Sequence, residues 1–447
     1  MKKRRMLILV LSILSFGVVN AQTDTTKSHN FNLEECIQYA YQHQTSLLNA
    51  DLDRKIADSK VKETIGIGLP QIAGTANLQD YLKVPTSLLP GEFFGQPGTY
   101  IPVKFGVKYN SSLSASATQL LFNGSYLVGL QASKTYKELS QRAYDRTKIE
   151  TNVAVTKAYY MVLVNNKQIE LLNANINQLK EQLDQTKALF KNGFAEQIDA
   201  DRLTVLYNNL ITEKQNILRS LELGKNVLKF QMGMPVEDDL TLSGSIDDVS
   251  LSSKDLPLTD SATYRNRIEY NLAQTQVKLN ALSLKNTKAE FLPTLSAFGT
   301  GSLSYQNNSF SNLYDRNYPT LFIGLQLNIP IFSGGQRYQR VKQAEFTLRK
   351  SDHDLLNAKN SINLDIQNSI TQFTNSLNSL KNQERNLDLA NEVLRVSKIK
   401  YEQGVGSSLE VTQAQTSLKE AQNNYINALY DALISKVDTE KAIGSIK

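Results

Sequence analysis

The feature that most constrains this chain is a bent helical hairpin written twice, 211 residues apart. Phe190-Lys191-Asn192-Gly193-Phe194 recurs as Tyr401-Glu402-Gln403-Gly404-Val405. In each copy an aromatic residue closes a long apolar-periodic run, and a glycine three positions on interrupts it. A second periodic run follows, carrying Asp199 in the first copy and Glu410 in the second. The offset holds without gaps to another glycine, Gly233 falling on Gly444. So long a period marks a duplicated half-domain rather than a solenoid.

Both halves follow one plan. A helical segment begins near Asn32-Leu33-Glu34-Glu35 and runs to Gly66, Gly68 and Pro70, and its counterpart runs from about Leu258 to Pro293. Proline ends a helix and forces the preceding residue extended, so Leu69-Pro70 and Leu292-Pro293 read as helix-to-strand joints. Beyond each joint the hydrophobic period changes from 3.6 to 2. This places strands at about 71–81, 110–122, 294–305 and 319–331. The run 321–329 alternates most cleanly, one face branched aliphatic and the other mostly small or polar. The loop 81–109 is long and rich in proline and glycine, whereas 306–318 is short and Asn-rich.

Both halves leave the sheet through the same exit, Leu121-Phe122-Asn123-Gly124 and Ile331-Phe332-Ser333-Gly334. From Ser125 to about Asn192 there is no proline and no glycine except Gly129, which predicts a helix of roughly 100 Å at about 1.5 Å per residue. Its seam, Ile169, Leu172, Ile176, Leu179, Leu183, Thr186 and Phe190, steps by three and four alternately, the spacing of a coiled coil. The same register recurs at Leu380, Gln383, Leu387, Ala390, Leu394, Ser397 and Tyr401. Return helices are expected over 198–230 and 409–443. The repeats are therefore placed at 22–233 and 258–447, with 234–257 an acidic, Ser-rich connection. Its acids (Glu237, Asp238, Asp239, Asp247, Asp248) match no calcium-loop spacing.

The start of the chain, Lys2-Lys3-Arg4-Arg5 before an apolar run ending Val19-Asn20-Ala21, reads as a secretory signal cut after Ala21. Without its four basic residues the 49 Lys+Arg fall to 45 against 43 Asp+Glu, giving no reason to expect nucleic-acid binding. A single cysteine, Cys36, excludes an internal disulfide and reads as a packed helical thiol. The three histidines, His29, His43 and His353, have no zinc-site spacing, and no nucleophile, phosphate-loop or dinucleotide motif occurs. Neither an enzyme nor a cofactor or metal site is expected.

Strands of about ten residues with one apolar face suit an outer membrane, although a soluble sheet with one wet face would alternate similarly. If they cross lipid, their backbone must be paired in a closed sheet. Four strands cannot close a barrel. Three chains would supply twelve, with room for a passage.

The duplicated order helix, Leu-Pro, two strands, Phe-x-Gly, long helix, aromatic-x-x-Gly, return helix resembles the outer-membrane efflux protein family of TolC-like outer-membrane factors, over about Leu33 to Gly444. The resemblance implies a mainly α fold with a membrane β-barrel portion: a homotrimer with a twelve-stranded barrel and an α-helical periplasmic barrel. It implies residence in the cell outer membrane with a large periplasmic portion. It also implies a periplasmic adaptor and an inner-membrane transporter of RND or ABC type as partners, exporting small toxic molecules. A type I protein or peptide secretion system is the alternative, and a pore-free periplasmic coiled-coil scaffold a third reading.

By the same resemblance Gly193, Phe194, Gly404 and Val405 are the adaptor-contacting tip, and Asp199, Tyr401 and Glu410 belong to the periplasmic aperture. Read from the residues alone, the glycines are turns and the acids are helix starts. Two positions depart from the family pattern: Gly406 stands where an aperture arginine is expected, and Gln413 where a second acidic ring is.

Overall fold

A computed structural model describes residues 28–246, 249, 251 and 262–447. The signal segment and much of 247–261 lie outside the described residues. The chain divides into two compact units, each assembled from separated stretches of sequence.

One unit takes residues up to Gln44, Ala154–Ser250 and Asn386–Tyr430. Strand β1 (Ser28–Phe31) leads into helix α1 (Leu33–His43), whose start is a capping box. The Asn32 side chain accepts from the Glu35 amide at 2.9 Å, and Glu35 accepts from the Asn32 amide at 2.8 Å. Cys36 on α1 is fully buried, and burial, reinforced by Glu35, pushes its thiol up to about 12. Strand β6 (Asp239–Leu242) pairs in parallel with β1, so the connecting segment contributes a strand. Asp238 and Asp239 there face His29 (3.9 Å) and the Ser28 hydroxyl (3.4 Å).

Most of the unit is two helical hairpins. The later part of α3 (Gly124–Lys191) packs on α4 (Gln197–Met232), burying Leu172, Ile176, Leu179 and Leu183 against Leu203, Leu210 and Ile217. The later part of α6 (Gln336–Glu402) packs on α7 (Ser408–Ile443) through Leu394, Val411, Ala414 and Leu418. These follow the predicted seams except at Phe190, which is 44% exposed. Each fully buried aliphatic side chain contributes about 1.5–3 kcal/mol.

The other unit takes Thr45–Val153, Leu251–Arg385 and Asp431–Lys447. It holds α2 (Thr45–Ile67), α5 (Ile268–Ala289) and an antiparallel sheet in the order β2 (Gln71–Asp80), β5 (Tyr109–Asn123), β7 (Thr294–Asn307), β8 (Asn317–Asn328). Strand β8 ends earlier than expected, at Asn328, because Pro330 cannot continue the ladder. The long loop carries its own hairpin, β3 (Thr86–Pro90) with β4 (Tyr100–Lys104).

The first helical segment is not continuous, contrary to its apolar pattern. It breaks at Gln44, whose ψ of 119° is extended. The break turns the Gln44 amide onto the end of α4, where it donates to the carbonyls of Phe230 (3.3 Å) and Gln231 (2.9 Å). Those are carbonyls that a helix end leaves unpaired. Arg267, at the matching position before α5, donates to the Ala442 carbonyl at the end of α7 (3.1 Å). It also pairs with Glu269 and Asp365, each at 2.8 Å, and is only 7% exposed. Burial alone would raise the Glu269 carboxyl, but hydrogen bonds from Arg267 outweigh it and hold that group below the usual carboxylate range.

Four glycines end the paired helices in one way. Gly193, Gly233, Gly404 and Gly444 have φ between 72° and 75°. At Gly193, for example, the Phe194 amide reaches back to the Leu189 carbonyl (2.8 Å) and the Gly193 amide to Phe190 (3.0 Å), a Schellman cap. A Cβ on Gly193 or Gly404 would meet open space. On Gly233 it would lie 2.5 Å from the His43 carbonyl oxygen, and on Gly444 2.8 Å from that of Asn266.

Gly193→Ala and Gly404→Ala should therefore cost only the left-handed backbone, about 1 kcal/mol each. Gly233→Ala and Gly444→Ala should cost about 2–4 kcal/mol, because backbone must also move. Circular dichroism melts separate the pairs, and equal losses would contradict this account. Arg267→Gln, which copies the Gln44 joint, should cost about 1–2 kcal/mol at neutral pH, since both acids stay partly solvated. The Glu269 contribution is present above the ordinary carboxylate pKa of about 4.3 and is lost as pH falls through its depressed folded value. Melts from pH 7 to 3 should consequently show a flatter acid slope for Arg267→Gln than for the parent.

Candidate functional site

Two places carry functional chemistry: the sheet and the hairpin tips. Strand register sorts the sheet into two faces. One face bears Ile72, Ala76, Leu113, Ala115, Ala117, Leu295, Leu303, Leu321, Ile323, Leu325 and Leu327, interleaved with Gly74, Gly299 and Gly301. The opposite face is chiefly Ser, Thr, Asn and Gln, without a charged side chain, and Ser114 donates across it to Ser302 at 3.0 Å.

The apolar face has a definite height. Tyr109 and Tyr305 stand at its upper end and Phe122, paired with Leu295, at its lower end. Ten residue steps from Leu295 to Tyr305 at about 3.4 Å span about 34 Å along the strand, a rise of about 26 Å at the roughly 40° tilt usual in outer-membrane barrels. An outer-membrane strand needs an apolar band of about 25 Å between aromatic girdles. Among the described residues, strands β2 and β8 each have one side without a partner strand.

At the tips the two turns come close. A cleft of about 660 Å³ is lined by Phe194 and Leu189 from one hairpin and by Tyr401, Gly404, Gly406 and Lys398 from the other. Phe194 is 81% and Val405 79% exposed, so both present unpaired apolar surface. Tyr401 is half-buried and packs its ring against the α6/α7 core. Asp199 and Glu410 are not part of the cleft wall. Both sit in the first turn of a return helix, where an acid favours the helix dipole. Asp199 lies 3.8 Å from Arg202, and the Glu410 amide donates to Ser407 Oγ at 3.2 Å.

Sequence reasoning missed two things here. Burial lowers the Lys398 ammonium against the opposing charges of Glu402 and Glu181, and this side chain lines the cleft that Gly406 also lines. Several of the described contacts between hairpins are also polar, unlike their interiors. Asn175 bonds Gln422, Gln415 bonds Gln182 at 2.6 Å, and Lys419 pairs with Glu213 at 2.5 Å. The signal was available, since Asn175 and Gln182, like Gln415 and Gln422, stand one heptad apart.

The sequence profile of the outer membrane efflux protein family matches residues 36–207 and 264–445, most of the chain. The chain belongs to that family. Outer membrane protein TolC of Vibrio cholerae is 24% identical over 93% of this chain and 91% of its own length. Alkaline protease secretion protein AprF of Pseudomonas aeruginosa is 25% identical over 66% of this chain and 61% of its own. Among solved structures, CusC superposes with a TM-score of 0.77 at 16% identity, covering 94% of this chain and 93% of CusC. This family is one of outer-membrane channels rather than enzymes. The protein is accordingly an outer-membrane efflux channel component with a periplasmic portion.

Phe194→Ser and Val405→Ser should each change stability by less than about 0.5 kcal/mol, because neither side chain is packed. A loss of export with an unchanged melt would mark the tips as contact surface, and unchanged export would reduce them to turns.

Proposed function

We propose that three copies form the exit duct of a tripartite efflux pump, passing small toxic molecules outward from a periplasmic adaptor and an inner-membrane transporter of RND or ABC type. The observation that carries this is the sheet with an apolar face of membrane height and open edges on β2 and β8. Unpaired backbone is intolerable in hydrocarbon, so β2 of one copy must meet β8 of the next. Twelve strands from three copies enclose a passage, which eight from two would fill with side chains. The apolar face then meets lipid and the Ser/Thr face lines the lumen. The 22–233 and 258–447 repeats supply one tip each, giving six tips per trimer at which an adaptor would dock through Gly193, Phe194, Gly404 and Val405.

The aperture assignment extends the same reading. Three Glu410 side chains would form a carboxylate ring that favours cations, with Asp199 and Tyr401 around it. Each hairpin is held by a continuous apolar seam, whereas hairpins meet through amides that can exchange their partners for water. Opening would therefore shift whole hairpins along the Asn175–Gln422 and Gln182–Gln415 contacts, with Lys398 as the nearby cation. The likeness to AprF supports a second reading, the outer component of a type I protein secretion system.

Mild-detergent extraction followed by native mass spectrometry should yield trimers that conduct in planar bilayers. A deletion strain should become sensitive to toxic small molecules, or should lose a secreted protein if the second reading holds. Recovery as a soluble periplasmic monomer would overturn both. Multivalent-cation block of the conductance should weaken in Glu410→Gln, and equal block would remove that residue from the aperture.

A further inference from the structure

The polar face of the sheet is interrupted by one oblique apolar stripe, Leu120 on β5, Phe298 on β7 and Phe322 on β8. Register puts these three on the same parity as Ser112, Ser114, Ser116, Thr300, Ser302 and Gln326. Each member lies one strand over and two residues along from the last, within side-chain reach. The rings of Phe298 and Phe322 meet edge to face with centroids 6.2 Å apart. Gly324, directly opposite Phe298, makes this possible. A Cβ there would lie 2.8 Å from Phe298 Cζ, so the ring rests over the β8 backbone where any side chain would displace it. Phe322 nevertheless remains 50% exposed.

In a wall otherwise hydroxylated and uncharged, this is an anomaly that sheet formation does not require. Serine or threonine at 298 and 322 would continue the surrounding pattern. The apolar face, which must satisfy lipid, does not use either ring. The geometry points to a binding step for flat aromatic solutes in the lumen of the barrel, stacked on Phe322 and edged by Phe298, one such step per copy. An uncharged wall neither selects nor repels on charge, so shape and apolar area would decide residence. Stacking on one aromatic ring is worth about 1–3 kcal/mol, enough to slow a solute's passage without trapping it. This inference rests on the trimeric-pore reading.

The test is single-channel recording with ethidium, a planar aromatic cation, and tetraethylammonium, an aliphatic one, each added on the barrel side. The parent channel should show discrete ethidium blockades that tetraethylammonium does not produce. Phe322→Ser should shorten their dwell about five- to tenfold at unchanged open conductance. Phe322→Leu, apolar but not flat, should shorten it nearly as much. Gly324→Ala, which displaces the Phe298 ring, should shorten it less. Full conductance with dwell times unaltered in Phe322→Ser, or with no ethidium blockade in the parent, would overturn the stripe and leave the pore standing. Absence of conductance in the parent would overturn both.

Discussion

The unpaired edges of β2 and β8 are the constraint on which the other features depend. A soluble protein can leave a strand edge to water, but a strand with an apolar band about 26 Å high cannot leave it to lipid. The alternation along β8, the small residues that let β7 pack closely and the uncharged opposite face all follow once the sheet must be continued by copies of itself. In the proposed trimer each copy would be a third of the wall.

Away from the sheet, stability is divided between two kinds of contact. Within a hairpin it comes chiefly from buried Leu, Ile, Val and Ala side chains that exclude water. Between hairpins it includes amide pairs and the Lys419–Glu213 pair, which lose little on exchange with solvent. Such a division keeps each hairpin intact while leaving its neighbour free to move. The joints at Gln44 and Arg267 show the same task met by different means. A neutral amide caps the end of α4, whereas a buried guanidinium with two carboxylates caps the end of α7, adding strength at neutral pH and sensitivity to acid.

Much of this was legible in the residues. The joints at Pro70 and Pro293, the four strands and the coiled-coil seams were readable because proline chemistry and side-chain period act locally. The glycines at 193 and 404 were readable because only a left-handed cap needs them there. The break at Gln44 was not, since no glycine or proline marks it and its cause is the end of a helix nearly 190 residues away. The pairing of β1 with β6 was hidden likewise, being four residues long and parallel. Lys398 and the amide contacts escaped because polar residues on a helix look solvated until a second hairpin is laid against them. Phe298 and Phe322 were visible as aromatic residues, but only strand register reveals that they stand on the polar side.

Cys36 has a consequence of another kind. Burial, reinforced by Glu35, raises the Cys36 thiol to about 12, so little of it is the nucleophilic thiolate in the folded chain. Its safety comes from docking alone, because α1 must fold onto its neighbours before the sulfur is covered. Until that docking the sulfur is uncovered, so its reactivity is governed by a folding step rather than by the chemistry of its own helix.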